Sequence, residues 1–377
     1  MPRVEVPGFV GGIGRLRGRQ IGVEDGWNYI VFRTAPTHGK TADYLQKIPG
    51  VTPFLSVPGA TSVRGLFSEN GRAFVGAGGI FTEFFSDGTL RTPFVPIVED
   101  ANPVTISSGG ANITDPGLLV VSGGTGIVWD LVTNTQIPIS APGLELPYSM
   151  GTVIDLYGIV VKTDSIQFNF SNLNNFSVFD AADFAARSEA SDNISAIVRN
   201  HRELWVLGQL TTEVWQDTGD VDTPFAPIPG VFLEQGCIAP YSALSVDNTV
   251  FWLGRNIQGG GIVYRANGYT PERVSHDAIE LALSLSSDLT RTIAWSMQMD
   301  GQTFYGLYVP DLPEQLVFNI ATASWTRWAR WDPQACVWFP WFARCHCDAF
   351  GKHLVGDWST GTIYEVSPTF YGNTVIA

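Results

Sequence analysis

The chain has 377 residues, room for one large core and up to three domains, and with 45% hydrophobic and only 15% charged residues it is a packed globular chain, not a disordered one. A formal net charge of −14 argues against wrapping DNA or coating an anionic membrane, because phosphate binding requires Lys and Arg to displace counterions. No apolar run reaches about 18 residues, so no membrane insertion is expected, and four cysteines in this length fit synthesis in a reducing cytoplasm better than a disulfide framework.

Residues 1–50 differ from the rest. They carry Arg3, Arg15, Arg17, Arg19, Arg33, Lys40 and Lys47, seven of the 22 basic residues. The opening MPRVEVPGFVGGIGRLRG has no continuous apolar stretch and is not read as a signal peptide. Regular alternation is scarce, with NYIVFRT at 28–34 the best strand candidate. The segment reads as an arm that crosses to a neighbouring subunit or packs along the body, with a solvated tail as the alternative. Arg15, Arg17 and Arg19 are the candidate inter-subunit residues. Deleting residues 1–44 is expected to leave the remainder folded and to impair assembly.

From residue 51 to 366 a unit recurs, leaving 367–377 as a C-terminal tail. Short runs of aromatic and β-branched residues alternate with polar ones and are joined by Gly, Asn and Asp, the pattern of antiparallel hairpins. First strands are expected near residues 62, 104, 151, 195, 241, 292 and 345. A period of roughly 40 to 50 residues with three or four strands per unit is the mark of β-propeller blades. The fold class is therefore all-β, a propeller of six or seven antiparallel blades with an N-terminal arm. A pair of β-sandwiches is the runner-up and leaves the period unexplained. The last unit lacks a fourth strand, and 51–57 is expected to supply it and close the ring. The fourth strand of the third unit is placed at 175–179. Two helices are expected, at 180–190 (DAADFAARSEA) and at 275–285 (SHDAIELALSL) with Ser275 as its cap.

Few motifs carry chemistry. His38-Gly39-Lys40-Thr41 matches only the end of a phosphate loop, with Thr34 where the first glycine is required. The Gly8, Gly11, Gly12, Gly14 cluster misses dinucleotide spacing, and Gly123-Gly124 suits a hairpin turn. Asp217, Asp220 and Asp222 share one loop and could hold Ca²⁺, yet the loop lacks the glutamate and glycine placement of a helix–loop–helix site. Cys345-His346-Cys347, with Cys336 nearby, lacks the usual Cys-x-x-Cys spacing of zinc sites and reads as a pair of core thiols. No nucleophile elbow or triad context is present. No catalytic residue, cofactor or metal is therefore assigned.

HRELWVLG, TEVWQDTGDVDTPF, GCIAPYS, VFWLGRN, GIVYRANGYTPERVS and GKHLVGDWSTGTIYEV, with LQKIPGVTPF further back, together resemble the tail hub (nozzle) family of short-tailed phages, the packaged-DNA stabilisation proteins. The resemblance spans residues 45 to 366 and leaves the first 44 unmatched. It implies a structural virion protein and no enzyme. Copies of the chain, six in number, would form a ring beneath the portal and its adaptor protein. That ring would extend the DNA channel without sequence-specific binding and hold tail fibres, spikes or a needle-like plug. The channel surface is then expected to be acidic or uncharged, with Asp217, Asp220 and Asp222 as candidate lining or interface residues. Two other classes stand beside this reading: a tail-borne propeller enzyme acting on polysaccharide, and a cellular propeller scaffold that works as a monomer.

Overall fold

The computed structural model describes residues 26–34, 42–109, 117–139, 146–220, 222–256 and 259–370. Within them the strands form seven antiparallel blades in sequence order, each wound from an inner first strand outward. The inner strands are Val63–Glu69, Thr105–Ser108, Tyr148–Ile154, Ile194–Asn200, Leu244–Val246, Ile293–Met299 and Ala343–Ala349. These starts fall close to the expected ones, and the expected six or seven blades resolve to seven.

Local chemistry makes the hairpins. Asn70-Gly71 (φ 51° and 76°) and Asp300-Gly301 (φ 51° and 72°) hold both central residues of their turns in the left-handed region. That geometry matches the twist of the flanking strands. Apolar residues on both faces of each blade then pack against the next blade. The core is accordingly a ring of layers between blades. Phe74, Phe81 and Trp129 lie between blades 1 and 2, and Val153, Val160 and Leu119 between blades 2 and 3. Phe251, Leu253 and Tyr305 fill the joint of blades 5 and 6.

The ring closes through the strand Gly50–Ser56, which pairs antiparallel with Thr362–Ser367, from Gly50 opposite Ser367 to Ser56 opposite Thr362. The strand expected at 51–57 is thus the fourth strand of blade 7. Closure covers what would otherwise be two open sheet edges.

Three expectations are corrected. Residues 180–190 do not form a helix: Phe184–Ala186 is the fourth strand of blade 3, paired with Gln167–Phe170. Alanine content favours a helix only weakly, and tertiary pairing overrides it. The buried Arg187 completes the reason, since its ion pairs with Asp192 and Glu213 fix the chain just after the strand. Residues 175–179, assigned to that fourth strand, instead form turns that bury Phe176 and Phe179. The other helix is present as Asp277–Leu283, the one α-helix among the described residues, and buries Ala278, Ile279, Ala282 and Leu283 between blades 5 and 6. Its N-cap is His276, not Ser275. The Ser275 hydroxyl donates to Glu280 Oε1 at 2.9 Å and accepts from the Val263 backbone at 3.0 Å.

The N-terminal segment packs along the body where it is described. Tyr29–Thr34 and Ala42–Lys47 form a hairpin. Ile30 and Phe32 are buried with Trp295, Met297 and Trp328 of blade 6. The Asn28 amide donates to the Arg327 carbonyl at 2.8 Å, and the Arg327 amide to the Gly26 carbonyl at 2.9 Å. A deletion through residue 44 therefore removes this packing and does not spare the core. Arg15, Arg17 and Arg19, the glycine cluster at 8–14 and the 38–41 motif lie outside the described residues.

Candidate functional site

The seven inner strands converge on a central channel of about 580 Å³, walled by residues from every blade. That is the size of a small-molecule site. Two guanidiniums stand in its wall at the end where the inner strands begin. Arg64 donates to the carbonyls of Asn102 (2.8 Å), Gly78 (2.9 Å) and Val98 (3.1 Å) and pairs with Asp100. Arg344 donates to Ser62 Oγ at 3.2 Å and to the Ala101 carbonyl. Both cations are thus engaged by the 98–102 loop between blades 1 and 2, and burial pulls each pKa below the ordinary guanidinium value. They staple the mouth of the channel. Tyr241, also in the wall, donates to the Ser149 carbonyl at 2.8 Å, and burial raises its pKa. Neither arginine was singled out from the sequence, because nothing local distinguishes a buried Arg in a strand from a surface one.

The carboxylates buried in the blades are engaged in the same way. Glu83 accepts from Arg72 Nε and Nη2 and from Arg91 Nε, each at 2.7 Å. Glu314 pairs with Arg327 at 2.9 Å. Glu213 lies 3.5 Å from Arg187 and accepts from Trp215 Nε1 at 3.1 Å. Burial acts to raise the pKa of Glu83, but its bonds to Arg72 and Arg91 outweigh this and hold it below the ordinary carboxylate value. A depressed folded-state pKa gives stability that is complete above the unfolded value of about 4.3 and is lost as pH falls through the folded one. Thermal melts should therefore shift downward below about pH 4. Glu83→Gln should cost about 2–3 kcal/mol at neutral pH and flatten this acid limb, since one partner of a largely buried pair is removed. An unchanged acid limb in that variant would place the acid sensitivity elsewhere.

The acidic loop joins the third and fourth strands of blade 4, on the outer part of the ring and away from the central channel. Asp217 Oδ1 accepts from the Gly219 amide at 2.8 Å, and Asp220 Oδ1 from Asp222 at 2.8 Å and Thr223 at 3.2 Å. Two of the three carboxylates thus shape turns, and Asp220 and Asp222 are exposed. The three do not gather into a calcium cluster. Cys345 and Cys347 face the layer toward blade 1, whereas His346 on the alternate face does not share it. Burial pushes the Cys345 thiol up to about 12 and raises Cys347 as well, so both stay protonated.

The family model described as bacteriophage P22 Gp10, beta-propeller, matches residues 30–371. No curated protein matches the chain. Among solved structures, the extracellular domain of a one-component system from B. thetaiotaomicron superposes with TM-score 0.53 at 8% identity, covering 84% of this chain and 40% of that one. The extracellular domain of a hybrid two-component system from the same organism gives TM-score 0.52 at 7% identity, over 85% and 40%. The chain thus spans about two fifths of the length of these structures, and at such identities the likeness shows the fold alone.

Proposed function

The chain belongs to the bacteriophage P22 Gp10 β-propeller family, and from that premise we propose that this phage structural propeller is the tail hub of a short-tailed phage. Copies of it, six by the resemblance, form a ring below the portal and its adaptor. The ring extends the DNA path and carries fibres, a spike or a needle. The observation that carries this reading is the family match across residues 30–371. Three physical features support it. The channel within one chain has small-molecule dimensions, so a duplex would run between copies and not through a single propeller. The net charge of −14 suits a conduit, because a lysine- and arginine-rich lumen would add salt-dependent phosphate contacts that hold the DNA. Charges act there only within about 8–10 Å at physiological salt, so the exposed Asp220 and Asp222 serve as lining or as a contact between copies. The role is non-enzymatic in this reading, and the Arg-paired state of Glu83, Glu213 and Glu314 supports it.

Electron microscopy of the purified chain, alone and with portal and adaptor, tests the proposal. A closed ring that docks below the adaptor is expected. A chain that stays monomeric at all concentrations and is absent from purified virions would overturn it in favour of a cellular scaffold. The arm gives a second test. Deleting residues 1–25 removes Arg3, Arg15, Arg17 and Arg19 but keeps the packing of Ile30 and Phe32. The thermal melt should be unchanged while ring assembly fails, and normal rings from this variant would remove the arm from the interface.

A further inference from the structure

Blade 7 carries a cluster that the hub reading does not use. His346 and Asp348 sit two residues apart on the inner strand Ala343–Ala349, and His353 on the next strand is the cross-strand partner of Asp348. Residues at i and i+2, and residues directly opposite, project from one face of a sheet. All three side chains therefore share the face turned toward blade 6, alongside Val355, which packs there with Trp295 and Met297. The backbone is pinned as well, since Ser68 Oγ of blade 1 donates to the Asp348 carbonyl at 2.7 Å.

From this geometry we propose that His346, Asp348 and His353 bind one divalent transition-metal ion of the zinc class, with water completing its coordination. One donor atom from each residue lies within 4.8 Å of the others. Asp348 Oδ1 is 3.4 Å from His346 Nε2 and 2.5 Å from His353 Nδ1. Ligands about 2.0–2.1 Å from a tetrahedral zinc are about 3.3 Å apart, so the 3.4 Å separation of His346 and Asp348 already matches, and the His353 ring must draw back from Asp348 to admit the ion.

The competing reading is a plain His–carboxylate pair, and the convergence of two imidazoles on one carboxylate oxygen favours a shared ligand over it. His346 Nε2 and His353 Nδ1 are both buried, and both are directed at the same oxygen, Asp348 Oδ1. The His346 side chain is only 7% exposed, so its ring nitrogen has little access to solvent. An ion in the gap between the three groups would take a lone pair from both nitrogens and from the carboxylate at once. Asp348, with a side chain 62% exposed, leaves the ion a route from solvent.

The donor set selects the ion. Two imidazoles with one carboxylate suit zinc and its neighbours, whereas calcium and magnesium prefer oxygen ligands throughout. The neighbouring thiols cannot join, because Cys345 and Cys347 lie on the opposite face of the strand. His346 is among the residues lining the central channel while Asp348 and His353 are not, so the ion would sit beside the channel, on the face of blade 7 turned toward blade 6. Its water-filled positions would be open to a donor from another molecule.

The test uses the full chain, freed of metal with a chelator and titrated with Zn²⁺ against a chromophoric competitor. Bound metal is counted by mass spectrometry after gel filtration. One equivalent is expected. Asp348→Asn and His353→Ala should each weaken binding by at least about tenfold, and Cys345→Ser should leave it unchanged. Co²⁺ should give a d–d spectrum without thiolate charge-transfer absorption. Because His346→Ala opens a gap between blades, the exposed Asp348→Asn carries the decision, with its thermal melt in chelator as the folding control. Substoichiometric zinc in the parent chain, or a full equivalent that survives both Asp348→Asn and His353→Ala, would overturn the site.

Discussion

A chain that begins at Val57 is expected to lose cooperative unfolding and to aggregate, although it retains all four strands of blades 1 to 5, all five of blade 6 and three of blade 7. With the closing strand it also loses the hairpin that buries Ile30 and Phe32. The missing strand Gly50–Ser56 lies between two layers of the core. On one side the fully buried Val51 packs with Val355, Tyr364 and Val366 and with Trp328 of blade 6. On the other, Leu55 joins Ile363 and Val63 at the joint with blade 1. Each aliphatic side chain contributes about 1.5–3 kcal/mol of burial, and the ladder to Thr362–Ser367 is lost with them. A total loss of at least about 5 kcal/mol is comparable to the whole stability of many domains. The bared edge is also a template for pairing between chains. Urea unfolding with parallel gel filtration decides the matter. A truncated chain that melts cooperatively within 1 kcal/mol of the parent would show that closure by this strand is dispensable.

The repeat was legible because turn chemistry and alternation coincide in nearly every hairpin: Asn70-Gly71 and Asp300-Gly301 announce their turns, and the runs beside them alternate. The closing strand was legible by subtraction, since one unit was a strand short and one run had no unit. What failed was set by distant partners. Phe184–Ala186 sits in an alanine-rich run, and only its pairing with Gln167–Phe170 and the ion pairs of Arg187 make it a strand. Ser275 has the right residue type for a cap but is drawn to Glu280 and the Val263 amide. The site suffered most. Arg64 and Arg344 meet a loop roughly 35 and 240 residues away, and His353 meets Asp348 through a hairpin register that the search for Cys-x-x-Cys spacing passed over. Asp217, Asp220 and Asp222 were visible because they are adjacent, which is also why they read as a turn.

Gln315→Leu is expected to destabilise the chain by about 3 kcal/mol or more, despite replacing a polar core residue with an apolar one of similar size. Gln315 is fully buried in the third strand of blade 6. Its Oε1 accepts from Trp295 Nε1 at 2.7 Å, and its Nε2 donates to the carbonyls of Trp341 at 2.8 Å and Ala343 at 2.6 Å. One side chain thus fixes the indole that packs against both Trp328 and Trp341 and ties blade 6 to the first residue of blade 7. Leucine leaves one donor without this partner and takes a bond from each of two carbonyls. An orphaned buried group costs about 1–3 kcal/mol, and the apolar gain of leucine offsets only part of the total. The same exchange at Gln298, exposed on the inner strand of blade 6, should change stability by less than about 0.5 kcal/mol. Urea midpoints of the two variants, read with tryptophan fluorescence, separate the cases. If Gln315→Leu lies within 1 kcal/mol of the parent, packing of the three tryptophans alone holds the joint between blades 6 and 7. If it falls as expected, the joint depends on a polar latch whose partners come from two separate stretches of the chain.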